Sequence, residues 1–439
     1  MSAIGGIAKK LTLAGALIFA GALPVMAETP DFGGPDSGRD PGQDKIISQT
    51  TLETSFSYVD SALLTDEQQF THPASSISIR FKSPQTLLSS LFGWGKGILA
   101  VGNHYNHFAS WPLTYDLSLA KTNARTMLLL GLNPRTSSFL YTGAEMKNHA
   151  YVELEEENKG RILKVGVFAT AGVKSNAMRA GFDSGDFWEP GTINLIILTN
   201  RALTPAAMTR IMITATEAKT AALEDLDIRS SYTGLAATGT GTDNIIVAEG
   251  SGSPAALAGG HAKLGDLIAK AVYRAVTEAI GKQNGIVKNR NIAARLEERK
   301  INLETLLKKS DMVRTSGQKL LLAQNFEALL QDSYYAGFLA SALAVSDAEA
   351  RGLTSGPEAF RDWCLLISGR IAGSPVKACE DIVRSQEIQP ALRLALNALL
   401  TGLARREGIV LEHSQNEEIL TSGSLNKVQT HEKQAKSAF

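Results

Sequence analysis

Between residues 191 and 281 the sequence alternates strand and helix signals in an order that few folds accommodate. Ile193 to Leu198 is an apolar run of strand length, as expected for a strand covered on both faces. Thr204-Pro205 follows, a hydroxyl N-cap with proline at the first helical position, and helical spacing continues to about Leu226. Ile245 to Ala248 is a second short buried strand. A second helix runs from about Leu264 to Ile280 and ends near Gly281. Strands that are apolar throughout need helices packed on their sheet. The expected fold is therefore α/β: a layered α+β core with a mixed sheet.

Other segments extend this core. Tyr151 to Thr170 reads as a hairpin turning at Asn158-Lys159-Gly160. Ser76 to Phe81 and Thr126 to Leu132 are further strand candidates. From about residue 287 strand signals vanish, and Met312 to Val345, Pro357 to Ile371 and Glu387 to Arg405 read as helices, punctuated by Pro357, Pro375 and Pro390. With 439 residues the chain exceeds one ordinary core. The expected organisation is a mixed domain over 46–286, an all-α C-terminal domain over 287–412 and a disordered polar tail over 413–439.

The start of the chain has the order of a secretory signal. Lys9 and Lys10 precede an apolar run from Leu11 to Val25, and Val25-Met26-Ala27 offers small residues at the cleavage positions before Glu28. The run is short for a membrane span of ~20 residues. A signal peptide over 1–27, a Gly/Pro/Asp-rich linker over 28–45, and an exported, periplasmic chain that does not span the membrane are expected; an uncleaved anchor or a misplaced start codon are the competing readings. In the cytoplasm Cys364 and Cys379 would be inert thiols. After export, a disulfide closing about 15 residues would contribute ~3 kcal/mol. Lys plus Arg and Asp plus Glu both number 44, so the chain lacks the basic footprint of a nucleic-acid binder.

Familiar catalytic signatures are missing. There is no HExxH, no Cys pair with metal spacing and no GxSxG, and Gly93-Trp94-Gly95-Lys96 is not a P-loop. His104 and His107 form an HxxH, but Gly102 to His107 looks loop-like and no third ligand is evident, so no metal is expected.

Six segments in order and spacing resemble the adenosylcobinamide amidohydrolase family. They are Thr170-Ala-Gly-Val-Lys-Ser-Asn-Ala-Met-Arg-Ala-Gly181, Gly191-Thr-Ile-Asn-Leu-Ile-Ile-Leu-Thr-Asn200, Leu203 to Met208, Ile213 to Ala222, Ala237-Thr-Gly-Thr-Gly-Thr-Asp-Asn244 and Gly259 to Gly265. The resemblance spans roughly residues 85 to 305. It implies hydrolysis of the aminopropanol amide of a corrinoid to adenosylcobyric acid, a salvage step. The corrinoid is then the substrate, no cofactor is needed, and a corrinoid uptake system is a possible partner. A non-catalytic envelope corrinoid-binding protein is the alternative.

Amide hydrolysis needs a nucleophile, polarisation of the carbonyl and a proton for the leaving amine. In Thr238-Gly239-Thr240-Gly241-Thr242-Asp243 the glycines permit close backbone approach and consecutive N–H groups can hold an oxyanion; a tight turn into the next strand is the plainer reading. Lys219 falls on the apolar stripe of Met208, Ile211, Met212, Ala215 and Ala222, where its ammonium either snorkels to water or meets a partner. Glu217 lies almost opposite, in a row with Arg210, Thr214 and Glu224, where an ion pair with Arg210 competes with a catalytic role. His104 and His261 are candidate proton carriers or structural histidines. The candidate catalytic set is Lys219, Glu217, Asp243, His104 and His261. Asn103, Asn176, Arg179 and Asn194 join Thr238 to Thr242 as candidate substrate-binding residues; for Arg179 a surface salt bridge competes.

Overall fold

The computed structural model describes residues 44–111, 119–185, 189–354 and 357–412. The expected signal peptide, nearly all of the linker and the tail lie outside these residues. The chain divides into two compact units, Met1–Asn289 and Arg290–Phe439.

The first unit opens with strands β1 (Lys45–Thr51), β2 (Val59–Gln69), β3 (His72–Ser89) and β4 (Gly93–Asn106), then helix α1 (Leu119–Leu129) and β5 (Ser137–Thr142). A hairpin of β6 (Ala150–Asn158) and β7 (Arg161–Ala171) follows, then short β8 (Ala177–Met178), β9 (Ile193–Thr199) and β10 (Arg201–Leu203). Helix α2 (Pro205–Asp225), β11 (Gly239–Thr240), β12 (Asn244–Ala248), β13 (Gly252–Ala255) and helix α3 (Lys263–Asn284) complete it. Nine strands form one sheet in the order β1-β2-β3-β12-β9-β7-β6, with β4 paired to β3 and β5 to β4.

Strand β3 is the corner of this sheet. Its first half pairs with β2, from Gln69↔His72 to Val59↔Phe81. Its last residues, Leu87 to Ser89, pair instead with β12. The sheet therefore curls and encloses Phe56, Ile77, Ile79, Val101, Leu140, Phe168, Ile196 and Ile246. Period-two alternation decides the other face: Leu195 and Ile197 of β9 and Val165 and Val167 of β7 pack under Met208, Ile211 and Ala215 of α2 and Ile268, Val272 and Ala275 of α3. β12 runs parallel to β9, as a crossover through α2 requires.

The hairpin turns through Lys159 (φ 54°) and Gly160 (φ 74°), the left-handed pair of a two-residue turn. Thr204 caps α2 by accepting from Ala207 N at 3.1 Å. α3 passes through Gly281, where the sequence suggested its end, and stops at Gly285 in the left-handed region.

Two local expectations are corrected. Thr126 to Leu132 is not a strand: it covers the end of α1 and the turn after it, with Met127 and Leu130 buried and Leu128 64% exposed. A short apolar run cannot separate the two by itself. Gly102 to Asn106 is not a loop but the end of β4, held between β3 (Ser76↔His104) and β5 (His104↔Tyr141). Pairing on both edges overrides the weak strand preference of Gly and Asn.

The second unit contains α4 (Ile292–Glu298), α5 (Leu303–Lys309), α6 (Ser316–Leu329), α7 (Ser333–Ala350), α8 (Glu358–Ala372) and α9 (Pro390–Arg406). Ala395, Leu396, Leu399 and Leu403 of α9 pack centrally with Phe326, Phe338, Leu339 and Cys364. The expected helix over Met312 to Val345 is two helices. Thr315 and Gln318 form a capping box at α6, and Asp332 accepts from Tyr334 N at 2.8 Å to start α7. Both cysteines are free thiols, Cys364 buried and Cys379 half-buried, so the bonded alternative is not realised. Among the described residues no helix is long and apolar enough to cross a membrane.

Candidate active site

The candidate site lies at the end of the sheet where β7 finishes and β9 and β12 begin. There Thr170, Asn194 and Asn244 stand side by side on adjacent strands. The chain leaving β7 returns as β8, which pairs with β11 so that Met178 faces Gly239 and Ala177 faces Thr240. This places the Thr238–Asp243 loop beside the last turns of α2.

Asp243 is the centre of the loop. It accepts from Ile193 N at 3.0 Å and Thr240 N at 3.1 Å, and also from the Thr240 hydroxyl and Lys219 Nζ. The Lys219 side chain is 8% exposed and that of Asp243 14%. Lys219 therefore does not snorkel; its ammonium turns inward to a carboxylate, as burial of a charge demands. Gly239 makes this approach possible. A Cβ there would lie 2.5 Å from Asp243 Oδ2 and 2.6 Å from Lys219 Nζ.

The other loop residues stitch neighbouring segments together. Thr238 accepts from Ala180 N at 3.0 Å, and its carbonyl accepts from the Thr220 hydroxyl at 2.9 Å. Thr242 donates to Gly191 O at 3.2 Å, and Thr192 donates to Thr242 O at 2.6 Å. Gly241 is exposed beside Asn176. Asn176 is buried; it donates to Gly191 O at 2.8 Å and accepts from the Tyr232 hydroxyl at 2.8 Å. Burial, followed by Glu189 and Asp183, raises the Tyr232 phenol above its ordinary pKa.

Beneath this end the closed face of the sheet holds a row of carboxamides. Asn103 donates to the Thr170 hydroxyl at 2.8 Å, and Asn194 donates to Asn103 Oδ1 at 2.9 Å and to Tyr141 O at 2.8 Å. Asn194 Oδ1 is buried without a hydrogen-bond donor. Such an acceptor calls for an N–H or O–H from a bound molecule or water.

The remaining candidates fall elsewhere. Arg179 donates to Ala236 O at 3.1 Å, and its backbone N donates to Asp183 Oδ2 at 2.6 Å. Asp183 also accepts from Ser230 and Thr233, so this group braces the loop from behind. Glu217 is exposed on α2, whereas its expected rowmate Thr214 is buried and donates to Ala258 O at 3.1 Å. His261 is exposed on the turn before α3. Its neighbour Lys263 pairs with Glu156, opposite Leu163 on β7 and about seven residues, or roughly 23 Å, from Thr170. His261 and the Lys219–Asp243 pair thus occupy opposite ends of the sheet and do not share a pocket.

His104 is also separate from the pair. It follows Asn103 in β4, so it points to the other face of the sheet. There its Nδ1 lies 2.8 Å from Ser76 Oγ and 3.9 Å from Glu67 Oε2, and its ring meets Tyr141 edge-on. Burial depresses the imidazole to about 3 and raises Glu67 to about 7, the latter against opposing hydrogen bonds from Ser76 and Gln69. His104 is a neutral core group beside a buried carboxyl. Tyr232, Asp183 and Glu67 carry no sequence motif, and Thr192 lies in the segment from Gly191 to Asn200 without being singled out; only topology brings them to notice.

The family model for adenosylcobinamide amidohydrolase (CbiZ) matches residues 61–288. The match runs from β2 through α3 and contains the whole loop cluster. The chain belongs to the adenosylcobinamide amidohydrolase family. The uncharacterized protein MJ1613 of Methanocaldococcus jannaschii is 38% identical over 230 residues, 48% of this chain and 88% of that protein. Among solved structures, the PH0078 protein from Pyrococcus horikoshii OT3 is 13% identical with a TM-score of 0.28, over 56% of this chain and 85% of its own. The L-aminopeptidase D-Ala-esterase/amidase from Ochrobactrum anthropi is 12% identical with a TM-score of 0.27, over 49% and 78%. Both structural likenesses are distant.

Proposed function

We propose that the chain hydrolyses the amide joining aminopropanol to the corrinoid of adenosylcobinamide, or of a related corrinoid, giving adenosylcobyric acid and the free amine. The observation that carries this reading is the Lys219–Asp243–Thr240 cluster within the family-matched segment. It sets a carboxylate, an ammonium and a hydroxyl together at the end of the sheet where β9 and β12 begin. Water adds across the C–N bond: hydroxyl goes to the carbonyl carbon and a proton to the amine. The ammonium of Lys219 and the N–H groups of the loop are suited to hold the oxygen that becomes negative. A corrinoid bears peripheral carboxamides, and the buried Asn194 Oδ1 is an acceptor suited to an N–H of that kind. The protein acts in corrinoid salvage, in the periplasm, on material delivered by uptake; the corrinoid is its substrate, not a resident cofactor. Incubation of purified protein with adenosylcobinamide, followed by mass analysis, tests the reading. Adenosylcobyric acid with equimolar aminopropanol is the expected outcome; bound but unaltered corrinoid would indicate a capture protein instead.

A further inference from the structure

We propose that Thr240 is the nucleophile of this hydrolysis, forming an ester with the corrinoid acyl group; the inference rests on the function proposed above. Three threonines alternate with glycines in the loop, and their hydroxyls have different partners. Thr238 receives Ala180 N and lies 3.5 Å from Met178 O. Thr242 donates to the carbonyl of Gly191. Neither contact supplies a group that can take a proton. Thr240 donates to Asp243, whose second oxygen is held by Lys219. A hydroxyl on a fixed carboxylate has the arrangement an alcohol nucleophile needs: a proton acceptor in reach, itself oriented by a third group.

The backbone is fixed to match. Thr240 pairs with Ala177 across the β8–β11 ladder, and its own N–H returns to Asp243. The residue is 8% exposed, and the next residue, Gly241, is exposed and without a side chain. A carbonyl carbon can therefore approach Thr240 from the Gly241 side, where the missing side chain leaves the Asn176 carboxamide as the neighbouring group.

The steps balance as follows. Thr240 Oγ1 forms a C–O bond to the amide carbonyl carbon while its proton passes to Asp243. The C–N bond breaks as that proton moves to nitrogen, and aminopropanol departs as the neutral amine. Water then adds to the ester, its proton travels through Asp243 to Thr240 Oγ1, and the carboxylic acid leaves. No oxidation or reduction is involved.

The experiment uses the full chain with adenosylcobinamide, and the variants Thr240→Ser and Thr240→Val. The serine variant should keep activity within about tenfold, and the valine variant should fall by ~1000-fold or more. Hydroxylamine supplies a second readout. Two corrinoid amides with the same acyl group and different amines should give the same hydroxamate-to-acid ratio, because both pass through one acyl-enzyme. A ratio that changes with the amine overturns the proposal, and so does a valine variant within tenfold of an active wild type. If the valine variant does not fold, the ratio on wild-type protein decides alone. A wild type that leaves the amide intact overturns the proposed function together with this inference, a result distinct from either of the others.

Discussion

Lys219 Nζ reaches Asp243 Oδ2 across 24 residues of sequence, tying the buried stripe of α2 to the loop that leads into β12. The contact connects packing to chemistry. A lysine on an apolar stripe is costly unless a carboxylate meets it, and the carboxylate that meets it also fixes Thr240 and Ile193. Loop and helix therefore depend on each other.

Replacing Lys219 by methionine keeps the stem and strands the carboxylate. Asp243 retains its donors from Ile193 and Thr240, which softens the loss. Destabilisation of about 2–4 kcal/mol is expected, together with at least ~100-fold lower kcat/KM. Urea unfolding and steady-state kinetics measure the two effects. A variant with wild-type activity would place the chemistry away from this pair.

Gly239→Ala tests the close approach directly. The added methyl would sit 2.5 Å from Asp243 and 2.6 Å from Lys219. Because both contacts belong to a fixed pair, the expected loss is about 1–3 kcal/mol, with activity falling in parallel. Gly241→Ala meets the Asn176 carboxamide, no nearer than 3.2 Å, and should change stability little. Equal melting temperatures for the two variants would contradict the geometry.

Much of this was legible before the fold was known. Thr204-Pro205 announced α2 and Ile193 to Leu198 announced β9, while the lysine on the stripe left two readings open, water or a partner, and the structure supplies the partner. What could not be read was which loop returns to which. Asp243 and Lys219 meet only because β12 lies parallel to β9 after the α2 crossover. His104 and Asn103 are neighbours in sequence, yet strand alternation sends one to a closed core and the other towards Asn194. His261 looked well placed because it precedes a helix, but that helix starts at the wrong end of the sheet. Thr126 to Leu132 misled because a short apolar run has no period of its own.

Glu67 should give stability a specific pH dependence. Its folded-state pKa is raised from 4.5 to about 7, mainly by burial. The folded state thus holds the proton more tightly than the unfolded chain. The stabilisation this gives is fully present below pH 4.5 and is lost as pH rises through about 7. Glu67→Gln removes that loss, so its stability relative to wild type should improve from pH 5 to pH 8, by up to about 3 kcal/mol. His104 has the opposite sign, contributing above its ordinary range and losing that contribution as pH falls towards 3, and it is common to both proteins. Denaturant titrations at the two pH values give the comparison. A constant difference would show that Glu67 does not titrate in this range.

The cysteines provide a check on the second unit. Burial pushes the Cys364 thiol up to about 12 and raises Cys379 as well, so both are poor nucleophiles at neutral pH. Alkylation of native protein at pH 8 should be slow at both and complete after denaturation without reductant. Two sulfurs that stay unreactive in denaturant until a reductant is added would instead reveal a disulfide.

The most direct measurement is turnover of adenosylcobinamide by the purified full chain, with Lys219→Met and Asp243→Ala alongside, read as adenosylcobyric acid by mass. Product from the wild type and a loss of at least ~100-fold in both variants, with each variant shown to be folded, is the expected result. Full activity in both variants would remove the Lys219–Asp243 pair from the catalytic centre, and unchanged adenosylcobinamide with the wild type would contradict the hydrolase itself.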